Sequence, residues 1–166
     1  GFSGKFNGSN YVIQNLFIKR TQFQQGLFGL SSGTITNVGL ENVNLTIYSA
    51  SGGEIGALAG RNAGTISNSY STGNISGDYL IGGLVGLSVG GKINNSYSSV
   101  KVMVSSGATG YPAGGLIGGI ISGAVIDKVY SYGKVNDSLG LGLIGSTGGS
   151  SSVVTNSFWD NQTSGQ

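Results

Sequence analysis

The sequence contains no cysteine and no histidine, and it has only one proline among its 166 residues. The absence of cysteine excludes disulfides and thiolate chemistry within the chain. The absence of histidine excludes an imidazole-dependent catalytic triad and any histidine-ligated metal site. We therefore expect no cofactor and no metal centre.

Charged residues are also scarce, at 8% of the chain, and the formal net charge is +2. Lys19 and Arg20 are the only adjacent basic pair, so the chain lacks the basic cluster that a nucleic-acid partner requires. The most apolar stretch, residues 113–126, contains five glycines. It is shorter than the roughly 20 residues that span a bilayer, so we expect no membrane insertion.

Glycine is abundant, with 33 residues, and hydrophobic residues make up 38% of the chain. A composition this apolar is not that of a disordered chain. Glycine inside a helix costs roughly 0.5–1 kcal/mol relative to alanine, so a helical fold is disfavoured. The composition favours an all-β fold with many tight turns.

One short element recurs five times: a small residue, leucine, an apolar or small residue, and glycine. The copies are residues 26–29 (GLFG), 57–60 (ALAG), 83–86 (GLVG), 115–118 (GLIG) and 142–145 (GLIG). Their leucines are spaced by 31, 26, 32 and 27 residues. A fixed period of this size indicates a repeat architecture.

A second element follows each copy, as in residues 64–73 (GTISNSYSTG) and 91–99 (GKINNSYSS), and residues 11–18 (YVIQNLFI) match it alone. Superposing the copies predicts three columns of equivalent residues. The apolar column is Ile13, Ile35, Ile66, Ile93, Ile126 and Val154, with Val125 and Val153 as alternatives to the last two members. The polar column is Asn15, Asn37, Asn68, Asn95, Lys128 and Asn156. The aromatic column is Tyr70, Tyr97, Tyr130 and Phe158.

These columns predict a single-stranded parallel β-helix, a β-solenoid of about six coils that forms one domain over residues 1–166. Coils stack at the strand spacing of roughly 4.8 Å, so equivalent residues lie above one another. Apolar columns then form a continuous core, and asparagines can hydrogen-bond along the stack. Lys128 interrupts the asparagine column, so its ammonium must reach solvent. A β-propeller is disfavoured because its blades need about 40 residues or more.

The repeat resembles the GLUG motif. Residues 82–86 (GGLVG) and 64–75 (GTISNSYSTGNI) carry the likeness, residues 2–18 are similar to the segment that precedes such arrays, and residues 156–166 resemble a last repeat. GLUG repeats occur in large secreted and surface proteins of bacteria and archaea, including filamentous-haemagglutinin-like adhesins and non-catalytic regions of some immunoglobulin A peptidases. The resemblance implies a right-handed β-helix, an extracellular or cell-surface location and no catalytic residues.

Candidate catalytic residues are few. The carboxylates are Glu41, Glu54, Asp78, Asp127, Asp137 and Asp160. A glycosidase needs two carboxylates at a set separation, and some β-helix enzymes cleave polysaccharides with Asp, Lys and Arg on one face. Asp127, Lys128, Lys134 and Asp137 share one coil and are the best such group. We interpret them as solvated charges and predict that the chain is not an enzyme.

Two further sets of residues are candidates for binding or modification. Tyrosines outside the columns could stack on sugar rings, because an aromatic ring with a hydroxyl suits carbohydrates; they are Tyr48, Tyr79, Tyr111 and Tyr132. Six N-x-S/T sequons are candidate N-glycosylation sites; they begin at Asn7, Asn44, Asn74, Asn94, Asn136 and Asn161.

The leading functional hypothesis is a structural, surface-displayed or secreted module of an adhesin or extracellular fibre, with cell-surface glycans or proteins as partners. Its end coils offer strand edges that could join subunits end to end. The alternative is a carbohydrate-binding or polysaccharide-cleaving β-helix. An ice-binding face is disfavoured, because the ten threonines form no regular column.

Overall fold

The computed structural model describes residues 1–48, 52–105, 113–136, 140–149 and 151–166. Its elements are short strands followed by one helical turn. They are β1 (Lys5–Asn7), β2 (Val12–Gln14), β3 (Phe17–Arg20), β4 (Gln24–Gln25), β5 (Phe28–Ser31), β6 (Thr34–Thr36), β7 (Gly39–Ile47), β8 (Glu54–Gly56), β9 (Ala59–Asn62), β10 (Thr65–Ser67), β11 (Tyr70–Gly77), β12 (Ile81–Gly82), β13 (Val85–Val89), β14 (Lys92–Val104), β15 (Ile117–Ile121), β16 (Val125–Ser131), β17 (Val135–Asn136), β18 (Ile144–Thr147), β19 (Val153–Thr155), β20 (Phe158–Trp159) and α1 (Asn161–Ser164).

The strands form three sheets that run along the stacking direction. The first sheet has twelve strands, the second consists of β4, β8 and β12, and the third consists of β5, β9, β13, β15 and β18. Each recorded pairing within the described residues is parallel, which confirms the prediction of a parallel β-solenoid. The third sheet defines about five turns. A sixth level consists of β19, β20 and α1, and its two strands pair with β16 in the first sheet.

The apolar column forms the centre of the core. Ile66 lies opposite both Ile35 and Ile93, and all three side chains are fully buried. Ile126 continues the column and is also buried, whereas Val154 at the sixth level is exposed. The superposed sequence repeats therefore predicted this register correctly from the second level onward.

The register predicted for the first level is wrong. Phe6, and not Ile13, lies opposite Ile35 in the apolar column. Ile13 instead pairs with Leu40, one strand further along the turn. The physical reason is that the first two turns contain two asparagine corners each, so an Ile-x-Asn pattern also fits the second corner.

A second buried column follows the repeated leucines. Leu58 donates its backbone N–H to the carbonyl of Leu84 at 3.0 Å, and Leu84 donates in turn to Leu116 at 2.9 Å. The segments 26–29, 57–60, 83–86, 115–118 and 142–145 thus stack on one another between the second and third sheets, and we call this stack the glycine corner. Its glycines allow the backbones of successive turns to approach closely. A Cβ on Gly60 would lie 2.6 Å from the amide nitrogen of Gln25.

Candidate functional site

The polar column lies at a corner of the first sheet where the backbone is left-handed. Asn37, Asn68, Asn95 and Asn156 have φ values of 56°, 49°, 47° and 48°. Asparagine tolerates this conformation better than most residues other than glycine, which explains its repetition. The predicted hydrogen bonding along the stack is present, since Asn68 Nδ2 donates to Asn37 Oδ1 at 3.2 Å.

Of the two remaining members of the polar column, Asn15 differs from expectation and Lys128 does not. Asn15 belongs to a second left-handed corner, where it accepts a hydrogen bond from Asn42 Nδ2 at 2.6 Å. Lys128 adopts φ 52° at the position of the missing asparagine. Its side chain is mostly exposed, and its ammonium lies 3.9 Å from Asp127 Oδ2, so the prediction that it reaches solvent is confirmed.

The aromatic column lies on the outer surface of the first sheet, and its three tyrosines form a stack. We call Tyr70, Tyr97, Tyr130 and Phe158, which occupy successive levels, the aromatic ladder. The rings of Tyr70 and Tyr97 are 4.9 Å apart and nearly parallel, and those of Tyr97 and Tyr130 are 5.0 Å apart. Tyr132 joins from the side, with its ring 5.8 Å from that of Tyr130.

The ladder is closed at one end by a carboxylate. The Tyr70 hydroxyl donates to Glu41 Oε1 at 2.8 Å, and Gln14 Nε2 donates to Glu41 Oε2 at 3.1 Å. These hydrogen bonds hold the pKa of Glu41 below its usual range, and the bond to Glu41 raises the pKa of Tyr70 to about 12. Burial raises the pKa of Tyr97 as well. The Tyr70 ring also covers Gly39, so this end of the ladder has no open ring face.

The opposite end of the ladder is open. Tyr130 is 45% exposed and Phe158 is 68% exposed, and with Tyr132 and Trp159 they line a groove of about 620 Å³. We call this the aromatic groove. Lys128 and Asp160 contribute charged groups to its lining. The groove therefore combines aromatic ring surfaces with one positively charged and one negatively charged side chain.

Three members of the predicted charged group, Asp127, Lys128 and Lys134, lie within the described residues. Asp127 Oδ1 accepts hydrogen bonds from Thr155 Oγ1 and Asn156 Nδ2, each at 2.8 Å, and these bonds hold its pKa below the usual range. Lys134 is exposed. Asp137 lies outside the described residues. Asp160 caps α1 by accepting from the backbone N–H of Gln162, which likewise lowers its pKa.

One ion pair, which the sequence did not reveal, lies beside the glycine corner. Arg61 donates to both carboxylate oxygens of Glu54, and Gln24 Nε2 donates to Glu54 Oε2 at 3.1 Å. Glu54 is only 2% exposed, whereas Arg61 is 35% exposed. The hydrogen bonds to Glu54 raise the pKa of Arg61. The buried carboxyl group of Glu54 therefore has hydrogen-bond partners in both Arg61 and Gln24.

The candidate glycosylation sites are distributed over several surfaces. All six asparagines are described, and each is exposed except Asn94, which is partly buried. Asn44 and Asn74 lie directly opposite each other on adjacent levels. The hydroxyls of their sequons, on Thr46 and Ser76, are hydrogen-bonded at 3.5 Å. All six assignments stay predictions.

Of the candidate tyrosines that the structure describes, Tyr132 packs against the aromatic ladder. Tyr48 is exposed elsewhere, Tyr79 is half-buried and Tyr111 lies outside the described residues. The sequence did not predict the aromatic groove. Tyr132 lies two residues after Tyr130, and the other repeats have no aromatic residue at that position, so Tyr132 belonged to no predicted column. The unique tryptophan, Trp159, was a signal that could have marked this end of the ladder.

The described part of the chain has neither a metal-binding cluster nor a membrane-spanning helix. No group of three or more metal-ligating side chains lies close enough together there to hold an ion. In the same ranges, no helix has the length and hydropathy required to cross a bilayer.

The fold and its repeated columns define the class of protein, a parallel β-solenoid of stacked repeats. Residues 51–76 and 77–103 match the family model of the GLUG motif. Residues 51–103 are therefore GLUG-motif repeats, as the sequence resemblance implied.

The relatives are much longer proteins. The chain is 32% identical over 206 aligned positions to halomucin of Haloquadratum walsbyi, covering 99% of this chain and 2% of halomucin. It is 36% identical over 135 positions to the immunoglobulin A1 protease of Streptococcus sanguinis, covering 76% of this chain and 7% of that protease. The chain thus spans less than a tenth of either relative.

A solved structure has the same fold. The crystal structure of a proposed immunoglobulin A1 protease from Bacteroides ovatus superposes with a TM-score of 0.62 at 19% identity. The superposition covers 93% of this chain and 59% of that chain. At this level of identity, the likeness concerns the fold alone.

Proposed function

We propose that this chain is a non-enzymatic structural module of a surface-displayed or secreted adhesin or extracellular fibre. In this role it holds other parts of a longer protein at a distance from the cell. The observation that carries the proposal is the continuous in-register parallel stack, in which each level bonds to the next over about five turns. Such solenoids are stabilised by contacts between neighbouring repeats, so they serve as extended spacers.

An extracellular location is supported by the kind of proteins that the chain resembles. One relative is named a halomucin, and the other is named for immunoglobulin A1, an antibody that is found outside cells. The cysteine-free and weakly charged composition is compatible with that location, because stability comes from the core columns and needs no disulfides.

Localisation can be tested on intact cells of the source organism. Antibodies against this chain are expected to label intact cells or precipitate the protein from the medium. An antibody against a cytoplasmic protein is the control and must give signal only after permeabilisation. Labelling of this chain only after permeabilisation would contradict the proposal.

The spacer role can be tested by removing one whole turn. Thr65 lies opposite Lys92, so deleting residues 65–91 joins two equivalent positions. We expect a folded solenoid that is shorter by one strand spacing of roughly 4.8 Å. Deleting residues 65–77 is the matched control, because it leaves the following turn out of register and should prevent folding. A spacer role is contradicted if the whole-turn deletion unfolds the chain as completely as the control deletion does.

The fibre form of this proposal involves an apolar depression of about 380 Å³ at the sixth level. Leu141, Ile144, Val154 and Trp159 line it, and Leu141 and Val154 are exposed. Further repeats of the same polypeptide, or a second copy of the chain, could cover this surface. Sedimentation over a range of concentrations distinguishes the two, since a strictly monomeric chain would remove end-to-end assembly of this segment.

A further inference from the structure

The aromatic groove exposes more apolar surface than the fold requires. In β16, the inward positions are filled by Ile126, Val129 and Ser131, all buried, while Tyr130 points outward. Phe158 continues the same outward column at the next level. A contiguous exposed aromatic patch on a protein surface usually marks a site of interaction.

We propose that the aromatic groove binds neutral oligosaccharides, with a pyranose ring packed against the exposed rings of Tyr130, Tyr132 and Phe158. This binding goes beyond the spacer role and does not depend on it. Pyranose rings have an apolar face of C–H groups and a periphery of hydroxyls. Aromatic rings that also carry hydroxyls match both features.

The polar groups of the groove fit a sugar better than an apolar peptide segment. Lys128 supplies donors, Asp160 supplies an acceptor, and the phenol groups of Tyr130 and Tyr132 can do both. A site that mixes ring surface with a few placed polar groups is typical of small-ligand recognition. Asp160 keeps its hydrogen bond from Gln162 with any partner, but a purely apolar partner would offer none to Lys128 or to the two phenol groups.

The charges near the groove indicate that the sugar is neutral. The Lys128 ammonium lies 3.9 Å from Asp127 Oδ2, so the one lysine that lines the groove already faces a carboxylate. Asp160 adds a negative charge on the same surface. An acidic sugar would meet this carboxylate without a free cation to compensate, and like charges disfavour binding.

The groove is pre-organised by the stack behind it. Tyr130 is held against Tyr97 at 5.0 Å, and Tyr132 packs on both rings. Rings that are already fixed lose little conformational entropy when a ligand binds. Because the groove is shallow and open, we expect a dissociation constant on the order of 1 mM for a single site.

The single tryptophan makes the test specific. Trp159 lines the groove and is 53% exposed, so its fluorescence reports on this end of the molecule without interference from another indole. The probes are neutral hexasaccharides of glucose, mannose and N-acetylglucosamine. An oligogalacturonate and a proline-rich peptide are the competing ligands. We expect saturable protection of Trp159 from acrylamide quenching by at least one neutral hexasaccharide.

Variants separate the groove from other surfaces. Tyr132 lies outside the strands, so Tyr132→Ala should fold normally, which circular dichroism checks, and should weaken binding about tenfold. Tyr48→Ala is the matched control, because Tyr48 is 51% exposed but does not line the groove. Val154→Ser, in the neighbouring apolar depression, should likewise leave the affinity unchanged.

Several results would overturn the proposal. One is the absence of any response to the neutral sugars up to about 10 mM, ten times the expected dissociation constant. Another is an equal response from Tyr132→Ala and the unchanged chain. A response to the peptide alone would assign the groove to a protein partner. Protection of Trp159 that grows with protein concentration in the absence of sugar, and that Tyr132→Ala reduces while Val154→Ser does not, would assign the groove to a second copy.

Discussion

The glycine corner and the aromatic ladder are both columns of repeated residues, but they repeat for different physical reasons. At the corner, backbones of successive turns approach so closely that a Cβ on Gly118 would lie 2.7 Å from the amide nitrogen of Ile81. On the ladder, side chains stack in solvent, and the column ends in Phe158 without loss of the fold. The corner is fixed by sterics, whereas the ladder is one of several surfaces that the same backbone could carry.

The largest effect that we predict is at the corner. Gly60→Ala places a methyl group 2.6 Å from the Gln25 amide nitrogen and 2.7 Å from the Glu54 carbonyl oxygen. Backbone atoms cannot move aside as a side chain can, so we expect a loss of about 3 kcal/mol or more in unfolding free energy. Urea denaturation measures it. Gly4→Ala is the control, because its Cβ would contact only the Phe2 ring at 3.4 Å, and an equal loss there would contradict the steric argument.

A somewhat smaller effect is expected from the ion pair beside the corner. Arg61→Ala leaves the Glu54 carboxylate buried without its cation, which should cost about 2 kcal/mol, less than for a fully buried pair because Arg61 is partly exposed. Chemical denaturation at neutral pH checks this.

The neighbouring turns suggest the compensating change. Arg61 lies between Leu30 and Leu87 in its column, and Leu80 is the residue next to Glu54 in the following turn. The double variant Glu54→Leu with Arg61→Leu should therefore recover most of the stability. If the double variant is less stable than Arg61→Ala, leucines cannot replace the pair, and the argument from the neighbouring leucines is wrong.

On the outer surface, repairing the polar column should stabilise the chain slightly. Lys128 adopts φ 52°, where asparagine is better tolerated, so Lys128→Asn should add about 0.5–1 kcal/mol to the unfolding free energy. Thermal unfolding monitored by circular dichroism is sensitive enough to detect it. Lys128→Ala keeps the unfavourable backbone conformation, so a gain of the same size in that variant would show that strain is not the cause.

The smallest effect concerns the closed end of the ladder. The pKa of Tyr70 is raised from 10.0 to about 12, so the stabilisation from its hydrogen bond is complete below pH 10 and is lost as the pH approaches 12. The pKa of Glu41 is lowered, so its contribution is present above its ordinary value of 4.5 and is lost as the pH falls below it.

Tyr70→Phe isolates this interaction. Its melting temperature should be slightly lower than that of the unchanged chain near pH 8, and the difference should shrink at both extremes of pH. Tyr48→Phe, which changes an exposed tyrosine away from the ladder, should show no such profile. A constant difference across the pH range would indicate a packing effect.

The sequence predicted the columns because each has a simple physical cause that repeats with the turn. Ile66, Asn68 and Tyr70 occupy the positions expected for a core residue, a left-handed corner and a stacked ring. The first turn was misplaced because Ile13 and Asn15 repeat the same pattern at a second corner. A pattern that fits two corners of one turn cannot choose between them.

The features that the sequence did not predict depend on contacts that occur once. Glu54 and Arg61 are seven residues apart and meet only because the corner folds β8 and β9 together. Tyr132 reaches the ladder from the side, and the groove exists because Phe158 and Trp159 follow at the last level. Such singular contacts have no period, so a search for repetition does not find them.

The steric requirement at Gly60 and its equivalents has a consequence for how this fold is encoded. The glycines of the corner are spaced by 26 to 32 residues, and they constrain how closely each turn packs on the next. The intervening positions can vary widely, so overall identity is a poor measure of relatedness among such chains. A comparison restricted to these positions should detect relatives that whole-chain alignment misses. The outer columns are free to vary, so different chains with this fold can recognise different ligands.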